Sequence, residues 1–458
     1  MKFYNLYSRM PIFVQNIMCS VFGYKEARVR FNQDFKIFLS QLKKSDLANL
    51  VEINQTKKKN LVNTLLNAKK HILYKDTMKD ISEDMINEDP FAILLKLPVL
   101  NKDDIRSLDI SKIKKNDDIV LSTSGTSGKA LSICKDKKSI SMQWAIWFRH
   151  RSRFNIRFKE LSVNFTGKPI VPSAQTKPPF WRYNAAQNQY FISSQHINSD
   201  NIDDIVNFLN SIKPSFYSGY PSILSDLSRL ALSKGLSLNT NSKPKVIFAG
   251  AENMYEHQQN IIEKWTDAII TDQYGLTEGN CNFSKCEHGY YHEDFEFCHL
   301  ELDDVEILSD NSMKGHLIGT AFYNESMPLI KYNTGDIAVF SSPDFKCPCG
   351  RESRVILSVE GRADDYIITP DGRRVMRFGY LFRDTFEAIE AQVIQEKPKE
   401  IIIRTVLSGI GDYKNFETKV EQQFNDHISQ DMKLIFEYVD HIEKSPTGKF
   451  KAVLNKMK

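Results

Sequence analysis

The stretch that most restricts what this chain can fold into is LSTSGTSGKALSI, residues 121–133. Glycines, hydroxyl residues and one lysine sit there between apolar residues. Glycine lets the backbone approach an anion closely, and hydroxyl and N–H groups donate to phosphate oxygens. Ile119, Val120 and Leu121 read as a short buried strand before the loop, and residues 130–134 resume as strand after it. The loop therefore joins two strands, not a strand to a helix. A Walker-type loop needs four residues between Gly and Gly-Lys, then Ser or Thr. Here two residues separate Gly125 from Gly128, and Ala130 follows Lys129, so that motif does not fit.

The 458 residues suffice for two or three domains with a substantial core. A formal charge of +4 implies no nucleic-acid or membrane partner, and Lys57-Lys58-Lys59 reads as a solvated face. Seven cysteines form no disulfide framework, and five of them (Cys281, Cys286, Cys298, Cys347, Cys349) crowd one stretch, which suggests a metal before it suggests bridges. At the N-terminus, the apolar part of RMPIFVQNIMCSVFGYKEARVR is broken by Gln15 and Asn16. It is too short to span a bilayer and lacks a small-residue cleavage site. A helix packed on the domain is expected there, with a weak interfacial helix as the alternative, in a cytoplasmic protein without stable membrane insertion.

Residues 1–90 read as helices with polar connections. From residue 140 to 350, helices alternate with short apolar strands. PKVIFAGAE is a buried strand ending in a tight turn, QNIIEKWTDAIITDQYGLTEG is a helix, a strand and a loop, and residues 201–235 hold two helices around a Pro/Gly corner. The fold class is α/β. Beyond EGRADD, Pro370-Asp371-Gly372 closes a hairpin. A helix near TFEAIEAQVIQE, a strand EIIIRTVL, a helix YKNFETKVEQQFNDHI and a strand MKLIFEYVD follow. Three parts are expected: a helical 1–90, a ligand-binding 91–363 completing one large domain, and a small domain 364–458.

TSGTSGK resembles the phosphate loop of the adenylate-forming enzymes, the superfamily that includes acyl-CoA synthetases. FAGAE (248–252), DQYGLTEG (272–279), YNTGD (332–336), EGRADD (360–365) and SPTGKFKAV are similar to further segments of that family, in its order. PFWRYN, the Gly-Tyr-Pro-Ser corner at 219–222, CPCGR and the N-terminal segment resemble the phenylacetate–CoA ligase branch, and within it the proteins linked to capsule and O-antigen biosynthesis. The resemblance covers nearly the whole chain.

It implies a carboxylate ligase using ATP, with AMP carried on the intermediate. A carboxylate attacks the α-phosphorus, and a thiol, possibly of CoA, or an amine then takes the acyl group. Thr123, Ser124, Gly125, Thr126, Ser127, Gly128 and Lys129 would hold the β- and γ-phosphates. Gly250, Ala251 and Glu252 would line the adenine, with Tyr274 and Gly275 beside it. Thr277 would donate to the α-phosphate, and Glu278 would ligate Mg2+, a hard cation suited to carboxylate and phosphate oxygen. Asp336 would accept from the ribose hydroxyls, and Arg362 would contact ribose or phosphate. Lys449 would bridge carboxylate and α-phosphate as a mobile point charge. Asp364 matches the hinge of the small domain.

Cys286, His292, Cys347 and Cys349 form a C-x5-H…C-x-C set of an accepted composition for structural Zn2+, with Cys281, His288 and Cys298 as neighbouring substitutes. The branch often carries such a site there. Phe180, Trp181, Arg182 and Tyr220, with Trp144 and Tyr183, are candidate walls of the acyl pocket, Arg182 as partner of an anion. A small or glycan-linked carboxylate is the expected substrate. The rival readings are an aryl- or acyl-CoA ligase of general metabolism and a nucleotide-binding protein without turnover.

Overall fold

The computed structural model describes residues 6–122, 131–166, 170–172, 174–362, 366–370, 374–375, 378–382, 387–407, 413–443 and 451–457. Helices open the chain: Ile12–Arg30, Gln33–Lys44, Leu50–Lys69, Glu83–Glu88 and Pro90–Lys96. Their starts are written in the sequence. Asn32 accepts from Phe35 N at 3.1 Å, and Asn49 and Glu52 form a reciprocal capping box. On the helix Leu50–Lys69 the buried positions Ile53, Lys57, Leu61, Thr64 and Leu65 follow helical spacing. Lys57 is thus not part of a solvated face. It lies on the buried stripe, and its ammonium donates to Glu293 at 2.6 Å; only Lys58 and Lys59 are exposed.

β1 (Ile119–Ser122) and β2 (Ser132–Lys135) pair antiparallel, Leu121 opposite Ile133. The strands bracket the phosphate-type loop as expected. β1 itself is not buried: Val120 is exposed and its neighbours are half-buried. β3 (Ser162–Thr166), β4 (Trp181–Asn184), β5 (Gln189–Ser193), β6 (Phe216–Gly219), β7 (Val246–Ala249) and β8 (Ile269–Gly275) follow. After them come β9 (Asn282–Lys285), β10 (Tyr291–Glu293), β11 (Cys298–Ile307), β12 (Met313–Ala321), β13 (Tyr332–Phe340) and β14 (Val355–Arg362).

β3 to β14 form one twelve-stranded sheet, ordered β11-β12-β13-β14-β10-β9-β8-β7-β6-β3-β5-β4. β5, β3, β6, β7 and β8 run parallel, with the helices Ile202–Ser211 and Pro221–Ser233 between successive strands, and β4 is an antiparallel edge. β6, between those two helices, is a strand that the Pro/Gly corner hid. β8 is the seam. Its first half pairs parallel with β7, and Gln273, Tyr274 and Gly275 pair antiparallel with β9. Val163, Phe165, Leu224, Leu227 and Ile247 pack the parallel half, while Phe35, Ile146, Phe283, Leu300 and Leu317 pack the antiparallel half.

β15 (Ile367–Ile368) and β16 (Arg374–Val375) form the expected hairpin. Then β17 (Ala388–Lys397), β18 (Glu400–Leu407), β19 (Lys433–Tyr438) and β20 (Val453–Asn455) make a four-stranded sheet ordered β19-β18-β17-β20. The helix Tyr413–His427 packs on it through Phe416, Val420 and Phe424. β17 corrects the sequence reading of a helix near TFEAIEAQVIQE. It is an inner strand, antiparallel to β18 and parallel to β20, and this pairing overrides the helix propensity of its Ala, Glu and Gln residues.

Candidate active site

The ends of β6, β7 and β8, the turn after β8 and the middle of β13 converge. This is the carboxyl side of the parallel strands, where open α/β sheets bind ligands. β7 delivers the turn Gly250–Ala251–Glu252, in which Ala251 takes a left-handed φ of 66°. Glu252 Oε2 accepts from Ser222 N at 3.2 Å, tying this turn to the start of the helix after β6. Tyr220, half-buried, caps that helix, and burial, then the nearby Glu252, raises its phenol.

β8 places Tyr274. Its ring lies flat on Phe283, with centroids 4.5 Å apart, and its hydroxyl donates to Asp336 Oδ2 at 2.5 Å. Burial, then the Asp336 carboxylate, pushes the phenol well up, so Tyr274 remains a donor. Gly275 and Thr277 are exposed, whereas Glu278 and Asp336 are buried. Tyr332, opening β13, donates to Glu278 Oε1 at 3.2 Å. The same Tyr332 packs with Leu131 and Ile133 of the hairpin. Asp336 stands in register with Arg362 across the β13–β14 ladder.

Lys135, the last residue of β2, was not singled out from the sequence. It is fully buried, and Nζ donates to Gln143 Oε1 at 2.9 Å. Burial pulls its ammonium down to about 8, with Glu278 and then Asp136 opposing the fall. Gly279, at φ 73°, is required beside it, because a Cβ there would come within 2.6 Å of Nζ. Lys135 directly follows the strand read at 130–134, and nothing in that stretch singled it out.

Thr123, Ser124, Gly125, Thr126, Ser127, Gly128, Lys129, Asp364 and Lys449 lie outside the described residues, and of Arg362 only the backbone is described. Gly250, Ala251, Glu252, Tyr274, Gly275, Thr277, Glu278 and Asp336 are brought to the convergence just built.

The expected pocket walls need correction. Phe180 is fully buried, stacked on His196 with centroids 5.0 Å apart, and belongs to the core of the parallel half. Trp181 stacks on Phe208 at 3.8 Å against the same core. Among the described residues, Arg182 has neutral oxygens as its partners. It is fully buried, donating from Nε to Gln15 Oε1 at 2.7 Å, from one terminal nitrogen to Pro179 O and Trp181 O, and from the other to Gln175 Oε1. Its charge is dispersed over neutral oxygens that fix the neighbouring chain. A cavity of 620 Å³ lies elsewhere, lined by Leu39, Lys43, Arg157 and Lys245 among others, none of them a candidate-site residue.

The cysteine reading comes together in space. The ligand atoms of Cys286, His292, Cys347 and Cys349 all lie within 4.8 Å of one another. Cys286 Sγ and Cys347 Sγ are 3.7 Å apart, and Cys349 Sγ is 3.2 Å from His292 Nε2. Zn–S bonds of about 2.3 Å give a tetrahedral edge of about 3.8 Å, so the set fits the ion. His292 Nδ1 is 3.3 Å from Ser353 O, an outer partner that orients the ring. Cys281 and Cys298 are buried in the antiparallel core and His288 is exposed, so none of the three joins the set. Beside it, Asp46 accepts from Arg153 at 2.7 Å and Arg351 at 2.9 Å. Burial raises the Asp46 carboxyl, but Arg153, Arg351 and Arg149 outweigh it and hold it at about 2.

Residues 367–456 match the family model described as the CapK C-terminal domain. Over 99% of this chain and 99% of its own length, the Staphylococcus aureus protein named CapK is 26% identical. Among solved structures, 2-hydroxyisobutyryl-CoA ligase in its postadenylation state with R3-HIB-AMP superimposes with a TM-score of 0.67. The match is 15% identical and covers 90% of this chain and 91% of that one. The fold is that of the adenylate-forming ligases. The same ligase in an open conformation, in complex with 2-HIB-AMP and CoA, aligns at 0.53 and 14% identity over 87% and 91% of the two chains.

Proposed function

We propose that this chain activates a carboxylate with ATP, forming an acyl-adenylate, and passes the acyl group to a thiol or an amine. The observation that carries the reading is the meeting of Tyr274, Glu278 and Asp336 beside the base of the β1–β2 hairpin, through Tyr332 and Lys135. These residues would serve a nucleotide: Asp336 as a ribose acceptor, Tyr274 as an aromatic wall and Glu278 as a buried carboxylate, with the hydroxyl-rich sequence at 123–129 between β1 and β2.

In the first half-reaction a carboxylate oxygen bonds to the α-phosphorus and the bond to pyrophosphate breaks. In the second, the nucleophile adds to the carbonyl and AMP leaves. The protein's work is placement and charge neutralisation. Residues 123–129 hold the β- and γ-phosphates, Thr277 donates to the α-phosphate, and Asp336 binds the ribose with Arg362 nearby. Lys449 pairs with the incoming carboxylate and the α-phosphate. Mg2+ held at Glu278 would supply further neutralisation of phosphate charge. A small domain beginning at 364 turns about Asp364 between the halves. The cysteine–histidine set holds structural zinc. Full-length similarity to CapK and the CapK C-terminal match support a role in capsule biosynthesis; a cytoplasmic site of action, O-antigen as an alternative glycan and a small or glycan-linked carboxylate as substrate complete the proposal.

The test is to follow radiolabelled ATP with candidate acids in wild type and Lys449→Ala. AMP, not ADP, is the expected product. Lys449→Ala should lower its formation by about a thousandfold or more while ATP binding persists. Unchanged AMP yield in the variant would remove Lys449 from the mechanism, and ATP binding without AMP for any acid would favour a binding protein without turnover.

A further inference from the structure

The helix Ile12–Arg30 is docked the wrong way round for a soluble protein. Its uncharged polar residues Gln15, Asn16 and Ser20 face the molecule. Gln15 accepts from Arg182, Asn16 Oδ1 accepts from Tyr183 N at 3.0 Å, and Ser20 Oγ accepts from Ala185 N at 3.1 Å. These bonds hold the helix against β4, the edge of the twelve-stranded sheet. Gly23 lets the approach close, since a Cβ there would collide with the Asn184 side chain. The outward face is apolar. Phe13, Ile17, Val21 and Tyr24, spaced by four, four and three, are 66%, 56%, 49% and 55% exposed. That spacing keeps them on one side of the helix, and Leu6 and Phe22 are exposed nearby.

Charge decides what such a face meets. Arg9, Lys25 and Arg28 are exposed around it. Glu26 is the only acid in residues 1–30, and Arg30 pairs with it at 2.9 Å. A two-fold pair of copies would set this cationic patch against itself, because an isologous interface brings the same patch from each subunit together. A surface of anionic headgroups matches both halves of the pattern: apolar side chains at the acyl boundary, cations at the phosphates. Among the described residues no helix is long and apolar enough to cross a membrane, so on such a surface the element would lie in the interface plane.

We propose that this face docks on an anionic lipid surface, with Phe13, Ile17, Val21 and Tyr24 entering the headgroup–acyl boundary and Arg9, Lys25 and Arg28 over the phosphates. One short helix with an apolar outward stripe gives reversible rather than permanent attachment, which revises the absence of a membrane partner inferred from net charge alone. Neither the nucleotide site nor the zinc set takes part.

The test is co-sedimentation of the full chain with vesicles of phosphatidylcholine alone or with about 30 mol% phosphatidylglycerol. Wild type should partition at least about tenfold more strongly to the anionic vesicles. Phe13→Ser/Ile17→Ser/Val21→Ser should lose about tenfold of that binding, and Arg9→Glu/Lys25→Glu a similar amount together with its salt dependence. ATP binding should be unchanged in both. Independently of whether those variants fold, Tyr24→Trp emission should shift to the blue on anionic vesicles. Absence of wild-type binding, equal binding by the triple variant, or an unshifted Tyr24→Trp emission would overturn the proposal. So would a self-associated species that the triple variant dissolves without any vesicle binding, which would assign the face to a second copy.

Discussion

Lys135 carries a charge in a place that opposes it. Its ammonium is fully buried against one neutral acceptor, Gln143, and its value falls from 10.5 to about 8. Because the folded value lies below the unfolded one, protonated Lys135 costs native stability below pH 8. The cost fades as pH rises toward 10.5. At full shift it is on the order of 3 kcal/mol. Lys135→Met should therefore lose a rise in stability between pH 8 and 10.5 that wild type shows, read as the difference between their urea midpoints. Parallel pH dependences would mean that the ammonium is solvated. This residue carries no local warning, because burial of a lysine in a KDKK run is decided by β2 pairing with β1. Glu278 and Asp336 were singled out because each sits in a short segment whose order along the chain carries meaning, and the structure buries both beside Tyr332 and Tyr274. Arg182 was misread because a charge beside aromatic residues looks the same from sequence whether it faces an anion or four neutral oxygens.

At the scale of elements, the set Cys286, His292, Cys347 and Cys349 brings the β9–β10 turn and the loop before β14 together, and a bound zinc would tie them. Arg351 extends the tie, donating to Asp46 at 2.9 Å and to Glu287 at 3.0 Å. Four protein ligands leave no open position, so the metal would act on stability and not on chemistry. Protein purified without added metal should hold about one equivalent of zinc. Cys286→Ser or Cys347→Ser should abolish it and lower the melting temperature by about 5 °C or more. Metal-free protein with all seven thiols titrating at the wild-type melting temperature would contradict this. The ligand spacing was readable, because residue types alone define it. The strand β17 was not, since Ala, Glu and Gln favour helix locally and only the neighbours β18 and β20, the latter some sixty residues on, specify a strand.

For the whole molecule, alternation of helices with apolar strands made the α/β class legible, and ordered motifs made the adenylate-forming architecture legible. What stayed hidden was long-range: the seam at β8 and the strand β6 between two helices, both set by pairing between elements that no local pattern encodes. The measurement that tests the central claim most directly is carboxylate-dependent ATP–pyrophosphate exchange, run against aryl acids, fatty acids, amino acids and uronic acids. Exchange supported by one class and absent without acid is the expected result, and it would establish adenylation independently of the acceptor. ATP binding with no exchange for any acid, free or glycan-linked, would contradict a carboxylate-activating ligase.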